Sequence, residues 1–153
     1  MAKINSEPVV VAEGQWGSVV CARRRTGPGQ AEEFLDELRE FYIGPRVNNV
    51  TAFVNFAILS QQMAQHGRVS RKRFGPEGDG IFAFKHELRN VQFRFACFQD
   101  GSMWVLTHGF QKPGAKKGLG AWPQTQLNRA KTIRAEYFEL KVERTSNNGQ
   151  NTR

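Results

Sequence analysis

Charged side chains alternate with apolar ones along FKHELRNVQFRF, a pattern typical of paired strands with one apolar face. Successive side chains of a strand point to opposite faces, so Lys85, Glu87 and Arg89 share the charged face. If Asn90-Val91 is the turn into the next strand, antiparallel pairing sets Arg94 opposite Glu87 on that same face. The spacing therefore predicts a cluster of cations, and a candidate anion site.

A second interpretation of these residues is a solvated outer face. On such a face a Glu87–Arg94 ion pair contributes less than about 1 kcal/mol. The anion site is favoured because more cations follow the third strand, in the Gly- and Pro-rich loop HGFQKPGAKKG. Lys112, Lys116 and Lys117 lie there, near the end of the sheet where we expect Arg89.

Cleavage of RNA through its own 2′-hydroxyl needs a base, an acid for the departing 5′-oxygen, and cations for the charge on phosphorus. Arginine suits the last role because its guanidinium donates two parallel hydrogen bonds to phosphate oxygens, while a lysine among other cations can serve as base or acid. Such a site needs no metal and no cofactor. We expect catalytic roles for Lys85, Arg89, Arg94 and Lys112, and RNA binding by Lys116, Lys117, Arg71, Lys72 and Arg73.

The histidines are weaker candidates, although their titration range suits acid–base chemistry. Pairing across Asp100-Gly101 puts Trp104, Leu106 and His108 on the apolar face unless a bulge intervenes. We therefore expect His108 to be packed rather than catalytic. By the same pattern His86 faces the core, and His66 is an exposed helix end.

The elements that position these residues begin with β-branched sequence over 8–25, broken by two glycines as in a strand or hairpin with a bulge. AEEFLDELREFY has the apolar spacing of an amphipathic helix. A second helix is predicted from Arg46 to His66, and its apolar residues cover more than one face. The second side packs on the same core or receives a partner protein.

Residues 68–80 read as a basic loop, and a three-strand meander follows, with Asp100-Gly101 as its second turn. Helical spacing returns from Pro123 to about Lys141. The polar residues 144–153 are expected to be a disordered tail after a single domain over 1–143.

The composition favours a polyanionic partner. The 153-residue chain has 22 Lys and Arg against 14 Asp and Glu, a net charge of +8. It lacks GxSxG, GxxxxGK[ST], HExxH and CxxC, which argues against the serine-hydrolase, nucleotide-binding and zinc classes that those motifs mark. Two cysteines are too few for a disulfide scaffold, and no apolar stretch is long enough for a membrane span. We expect a cytoplasmic protein that does not engage a membrane.

The stretch FKHELRNVQFRFACFQDGSMWVLTHGFQK resembles the centre of the HigB-like branch of the RelE toxin superfamily. An early Trp-containing strand, a helix with Glu-Phe-Leu and a longer second helix extend the resemblance over roughly residues 16 to 140. The loop departs from the family pattern of two adjacent lysines, because its lysine pair is displaced to 116 and 117. The matching features are Glu87-Leu88-Arg89, Phe93-Arg94, Asp100-Gly101, His108-Gly109-Phe110 and Lys112 through Lys117.

The resemblance implies an α+β fold in which helices pack on one face of a mainly antiparallel sheet and the other face holds a basic cleft. It also implies a toxin that cuts mRNA at the ribosome and is silenced by a cognate antitoxin, often a helix-turn-helix protein. Some family members use a C-terminal tyrosine, but Tyr137 falls on the apolar stripe here. Two rivals stay open, namely a ParE-like gyrase inhibitor and a non-enzymatic nucleic-acid-binding protein of phage origin.

Overall fold

Residues 6–40, 46–88, 91–112 and 124–151 are described by the computed structural model. The β-branched and aromatic segments form strands, and the segments of helical spacing form helices. In chain order the elements are β1 (Val9–Glu13), β2 (Ser18–Cys21), α1 (Gln30–Glu40), α2 (Arg46–His66), β3 (Phe74–Gly78), β4 (Ile81–Leu88), β5 (Val91–Asp100), β6 (Met103–Lys112) and α3 (Gln124–Asn151).

The six strands form one sheet in the order β1-β2-β6-β5-β4-β3. Only the β2–β6 pair is parallel; the other neighbours are antiparallel. The expected α+β class with a mainly antiparallel sheet is therefore confirmed. So are the meander of β4, β5 and β6 and the bounds predicted for α2.

Helices cover both faces of the sheet, so the expectation that they pack on one face was wrong. The α1/α2 face carries bulky side chains such as Phe84, Phe95 and Trp104. The α3 face carries small side chains at several positions, including Ala83 and Ala96, beside larger ones such as Phe98, and α3 packs against both kinds. Small residues allow a helix to approach the sheet closely, and the apolar stripe of α3 is buried there.

The register of β4 and β5 differs by two residues from the predicted one. Lys85 pairs with Arg94, and Glu87 pairs with Gln92 rather than with Arg94. The difference arises because Leu88 pairs directly with Val91, so that Val91 belongs to β5 and not to the turn. A shift of two leaves every side chain on its predicted face, because the side-chain period of a strand is two.

A bulge in β6 overturns the predicted side for His108. Cys97 pairs with Leu106 but Ala96 pairs with His108, so Thr107 is an extra residue on β6. One extra residue reverses the faces beyond it. His108 therefore lies on the α3 face, opposite to that of Leu106.

Two segments differ from the sequence-based expectations. Part of the predicted loop over 68–80 is the edge strand β3, which tolerates Pro76 because an edge strand pairs on one side only. The tail predicted to be disordered is helical as far as Asn151, since α3 continues past Lys141. Arg144 anchors this part of α3 by donating a 2.7 Å hydrogen bond to the Ser6 carbonyl. None of the helices described is long and apolar enough to cross a membrane.

Candidate nucleic-acid site on the sheet

Cross-strand rows on the α3 face place the charged residues of the meander together. The row Ala83, Ala96, His108 lies beside the start of α3, where His108 contacts Gln126. The next row, further from the α3 start, aligns Lys85, Arg94 and Phe110 across three strands. Directly opposed residues on neighbouring strands have Cβ atoms about 4.5–5.5 Å apart, so Lys85 and Arg94 are close enough for both to contact a single anion.

Arg94 is held in one orientation by its neighbours on β5. Its Nη2 donates a 2.6 Å hydrogen bond to Oε1 of the buried Gln92, and its Nη1 donates a 3.1 Å bond to the Phe93 carbonyl. Burial lowers the pKa of the Arg94 guanidinium, and the carboxylates of Glu77 and Glu87 oppose that shift. The site thus contains a preorganised, half-buried cation.

Lys85 faces a carboxylate that the sequence analysis missed. Its Nζ lies 3.8 Å from Oε1 of Glu77, whose side chain is only 13% exposed. Glu77 belongs to β3 and sits where the β3–β4 register shifts between Pro76 and Gly78. The stretch FGPEGDG has no apolar alternation, so no sequence signal indicated that a strand would carry Glu77 to Lys85. We call Lys85, Arg94, Gln92 and Glu77 the Lys85–Arg94 site.

The remaining predicted site residues are only partly described. Arg71, Lys72 and Arg73 are exposed in the turn before β3, and the Arg73 carbonyl accepts a 2.8 Å bond from the Lys85 backbone N–H. Lys112 is the last residue of β6, paired with Gln92. Arg89, Lys116 and Lys117 lie outside the described residues.

Neither sheet histidine has the environment of a proton donor at neutral pH. Burial lowers the pKa of His108 to about 4, and its Nε2 lies 2.8 Å from Gln126 Oε1. Burial, followed by the charge of Arg73, lowers the pKa of His86, whose Nε2 lies 3.3 Å from Asn55 Nδ2. The expectation that His108 is packed is confirmed, although on the other face of the sheet.

The Lys85–Arg94 site can stabilise a phosphate anion with two cations while offering one carboxylate as a proton acceptor. Within the described ranges no group of three or more His, Cys, Asp or Glu side chains is arranged to hold a metal ion. Comparison with known proteins found no match: no protein-family model, no curated protein and no solved structure matches this chain.

Proposed function

We propose that this protein is a metal-independent endoribonuclease that cuts mRNA, of the kind found among RelE/HigB-like toxins. The observation that carries the proposal is the direct pairing of Lys85 with Arg94 on adjacent strands, with the Glu77 carboxylate 3.8 Å from the lysine. These three groups supply what 2′-hydroxyl attack requires. A binding surface alone would have no need of a nearly buried carboxylate beside its cations.

In the proposed reaction the Glu77 carboxylate accepts the proton of the 2′-hydroxyl, and the 2′-oxygen attacks phosphorus. The Arg94 guanidinium, oriented by Gln92, stabilises the extra negative charge on the phosphoryl oxygens. The Lys85 ammonium gives a proton to the 5′-oxygen as the P–O bond breaks. The products are a 2′,3′-cyclic phosphate and a free 5′-hydroxyl, and every proton is accounted for without a metal.

The order of elements supports the family part of the proposal. Trp16 precedes a strand, Glu33-Phe34-Leu35 lies in α1, and a longer helix follows before the meander. The Phe93-Arg94 pair is on β5, and β6 ends two residues after Phe110. This element order agrees with the one expected from the resemblance, except that Trp16 lies before β2 and not within a strand. It motivates mRNA at the ribosome as the proposed substrate and the cytoplasm as the proposed location.

A toxin requires a silencing partner, and we propose a cognate antitoxin, expected to be a helix-turn-helix protein. The surface of α2 suits docking because Val54 and Ile58 are 49% and 53% exposed. Exposed apolar side chains on one helix face favour a protein partner. A purified toxin–antitoxin complex whose interface avoids residues 46–66 would rule out this docking site.

The test is induced expression in a bacterial host of the wild type, Arg94→Ala and the control Arg25→Ala, which removes an exposed arginine paired with Glu143. The wild type and the control should arrest growth and produce new in-frame 5′ ends on cellular mRNA, and Arg94→Ala should do neither. Circular dichroism checks that each variant folds.

Other outcomes separate the rival functions. Arrest without new mRNA ends would point to another target such as gyrase. No arrest from folded wild-type protein would favour a non-enzymatic nucleic-acid-binding protein. Cleavage that persists in Arg94→Ala would remove the proposed site.

A further inference from the structure

A cavity of about 480 Å³ lies between α2 and the segment 68–73 that precedes β3. It is on the α1/α2 side of the sheet, because Asn55 of α2 lines it and contacts His86. His86 and Lys85 are consecutive on β4, so their side chains point to opposite faces. The cavity is therefore separate from the Lys85–Arg94 site.

The described residues that line this cavity give it a positive charge. Arg68 and Arg73 line it, and within the described part of the chain no Asp or Glu does. Neither guanidinium forms an ion pair with a described residue. Other arginines of the protein are paired with carboxylates, as in Arg23–Glu32 and Arg25–Glu143. Two arginines at one cavity that form no ion pair with any described residue favour an anionic ligand.

The other walls indicate what the anion is attached to. Ile58, Leu59 and Val69 provide an apolar surface, and the Gln62 side chain provides an amide with both a donor and an acceptor. A small inorganic anion or a simple carboxylate has no apolar part to place there. A nucleobase has flat apolar faces and a polar edge, and a nucleotide adds the phosphate. The volume lies in the range of known small-molecule sites.

We propose that this cavity binds one nucleotide, with its phosphate on Arg68 and Arg73, its base against Ile58 and Leu59, and the Gln62 amide at the base edge. The nucleotide is either a unit of an RNA strand or a free nucleoside monophosphate. The Arg73 carbonyl is hydrogen-bonded to the Lys85 backbone, so a bound strand has a short path around the sheet edge between the two sites. Binding in the cavity does not depend on whether the protein cleaves RNA.

The first test titrates the full-length ¹⁵N-labelled protein with AMP, GMP, CMP and UMP, and separately with inorganic phosphate, and follows amide chemical shifts. At least one nucleotide should shift amides in 55–73 and bind about tenfold more tightly than phosphate. Equal binding of phosphate and nucleotides would overturn the nucleotide assignment, and absence of shifts in 55–73 would overturn the site.

Variants then locate the binding determinants. Arg68→Ala with Arg73→Ala should weaken nucleotide binding at least tenfold, since charge-assisted hydrogen bonds are the strong ones. The control Arg25→Ala with Lys131→Ala removes the same charge from exposed, paired positions and should leave binding unchanged. An equal loss in both doubles would mean unspecific attraction and would overturn the proposal. Ile58→Ser should weaken nucleotide binding severalfold and leave phosphate binding unchanged.

A third measurement identifies the source of the nucleotide. A single-stranded RNA oligonucleotide that binds at least tenfold more tightly than the mononucleotides, with the gain lost in the Arg68/Arg73 double variant, assigns the cavity to a strand. Equal affinity for the oligonucleotide and for the mononucleotides assigns the cavity to a free nucleotide. Arg94→Ala should retain the amide shifts in 55–73, so this test stands even if cleavage at the Lys85–Arg94 site fails. Loss of those amide shifts in Arg94→Ala would contradict the conclusion that the cavity and the Lys85–Arg94 site are separate.

Discussion

The hydroxyl of Tyr137 on α3 donates a 2.7 Å hydrogen bond to Oδ2 of Asp100, the last residue of β5. The same carboxylate accepts a 2.8 Å bond from Lys141 Nζ, one turn further along the helix. Together these bonds tie α3 to the hairpin between β5 and β6. Tyr137 is thus a structural residue, as its place on the apolar stripe predicted.

Replacing Tyr137 with Phe should lower the free energy of unfolding by about 1.5–3 kcal/mol, because the bond to a charged group is lost and the Asp100 carboxylate is left with one partner fewer. Urea unfolding followed by fluorescence measures this. Lys141→Ala is the comparison and should cost no more than about 1 kcal/mol, because its side chain is largely exposed. A Tyr137→Phe protein as stable as wild type would contradict the structural role.

The stability of the fold should depend on pH through His108. The pKa of His108 is lowered by burial from its ordinary 6.5 to about 4, so between those values the unfolded chain binds a proton that the folded protein does not. The contribution of the neutral, buried His108 to the free energy of unfolding is therefore complete above pH 6.5, and it is lost as the pH falls toward 4. This shift in the pKa of His108 corresponds to about 3 kcal/mol in the free energy of unfolding.

Urea midpoints measured from pH 7.5 to pH 4 test this linkage in the wild type and in His108→Gln. The variant removes the titrating group and keeps a polar side chain near Gln126, so its midpoint should fall less steeply over this range. Parallel curves for the two proteins would show that another group carries the acid sensitivity.

Gly109 should be sensitive to a single methyl group. A Cβ at this position would lie 2.2 Å from Cδ2 of Phe34 on α1, whose ring also packs edge-on against Phe95. Gly109→Ala should therefore destabilise the protein by about 1–3 kcal/mol. Gly75→Ala is a suitable comparison, because among the described residues its Cβ would meet the flexible end of the Lys85 side chain, at 3.4 Å. Equal thermal midpoints for the two variants would show that α1 moves to accommodate the added methyl group without a loss of stability.

If Glu77 accepts the 2′-hydroxyl proton in the proposed reaction, Glu77→Gln should lower the cleavage rate by roughly 10²–10⁴-fold and leave RNA affinity nearly unchanged. Single-turnover cleavage of a single-stranded RNA, with affinity from fluorescence anisotropy, separates the two effects. Glu87→Gln is the matched control, because Glu87 is an exposed carboxylate two residues from Lys85 on the same face. Full activity in Glu77→Gln would reduce Glu77 to an ion-pair partner of Lys85.

Local periodicity was sufficient to predict which residues share a face within a helix or a strand. It placed Lys85 and Arg94 on one face even though the predicted turn was displaced, because a two-residue shift preserves the alternation. Local periodicity could not predict interactions between segments that are distant in the sequence. The bulge at Thr107, the approach of Glu77 to Lys85 and the packing of α3 on the second face each depend on pairing across the sheet.

The parallel pairing of β2 with β6 has a consequence for the order of folding. Ser18 pairs with Met103, which lies 85 positions further along the chain, whereas the strands of the meander are joined by short connections. Contacts between residues near in sequence form fast, and closing a long loop is slower. During synthesis, β1 and β2 emerge first, but β2 cannot join the sheet until β6 has left the ribosome. One edge of β2 therefore stays unpaired until all six strands of the sheet have been synthesised.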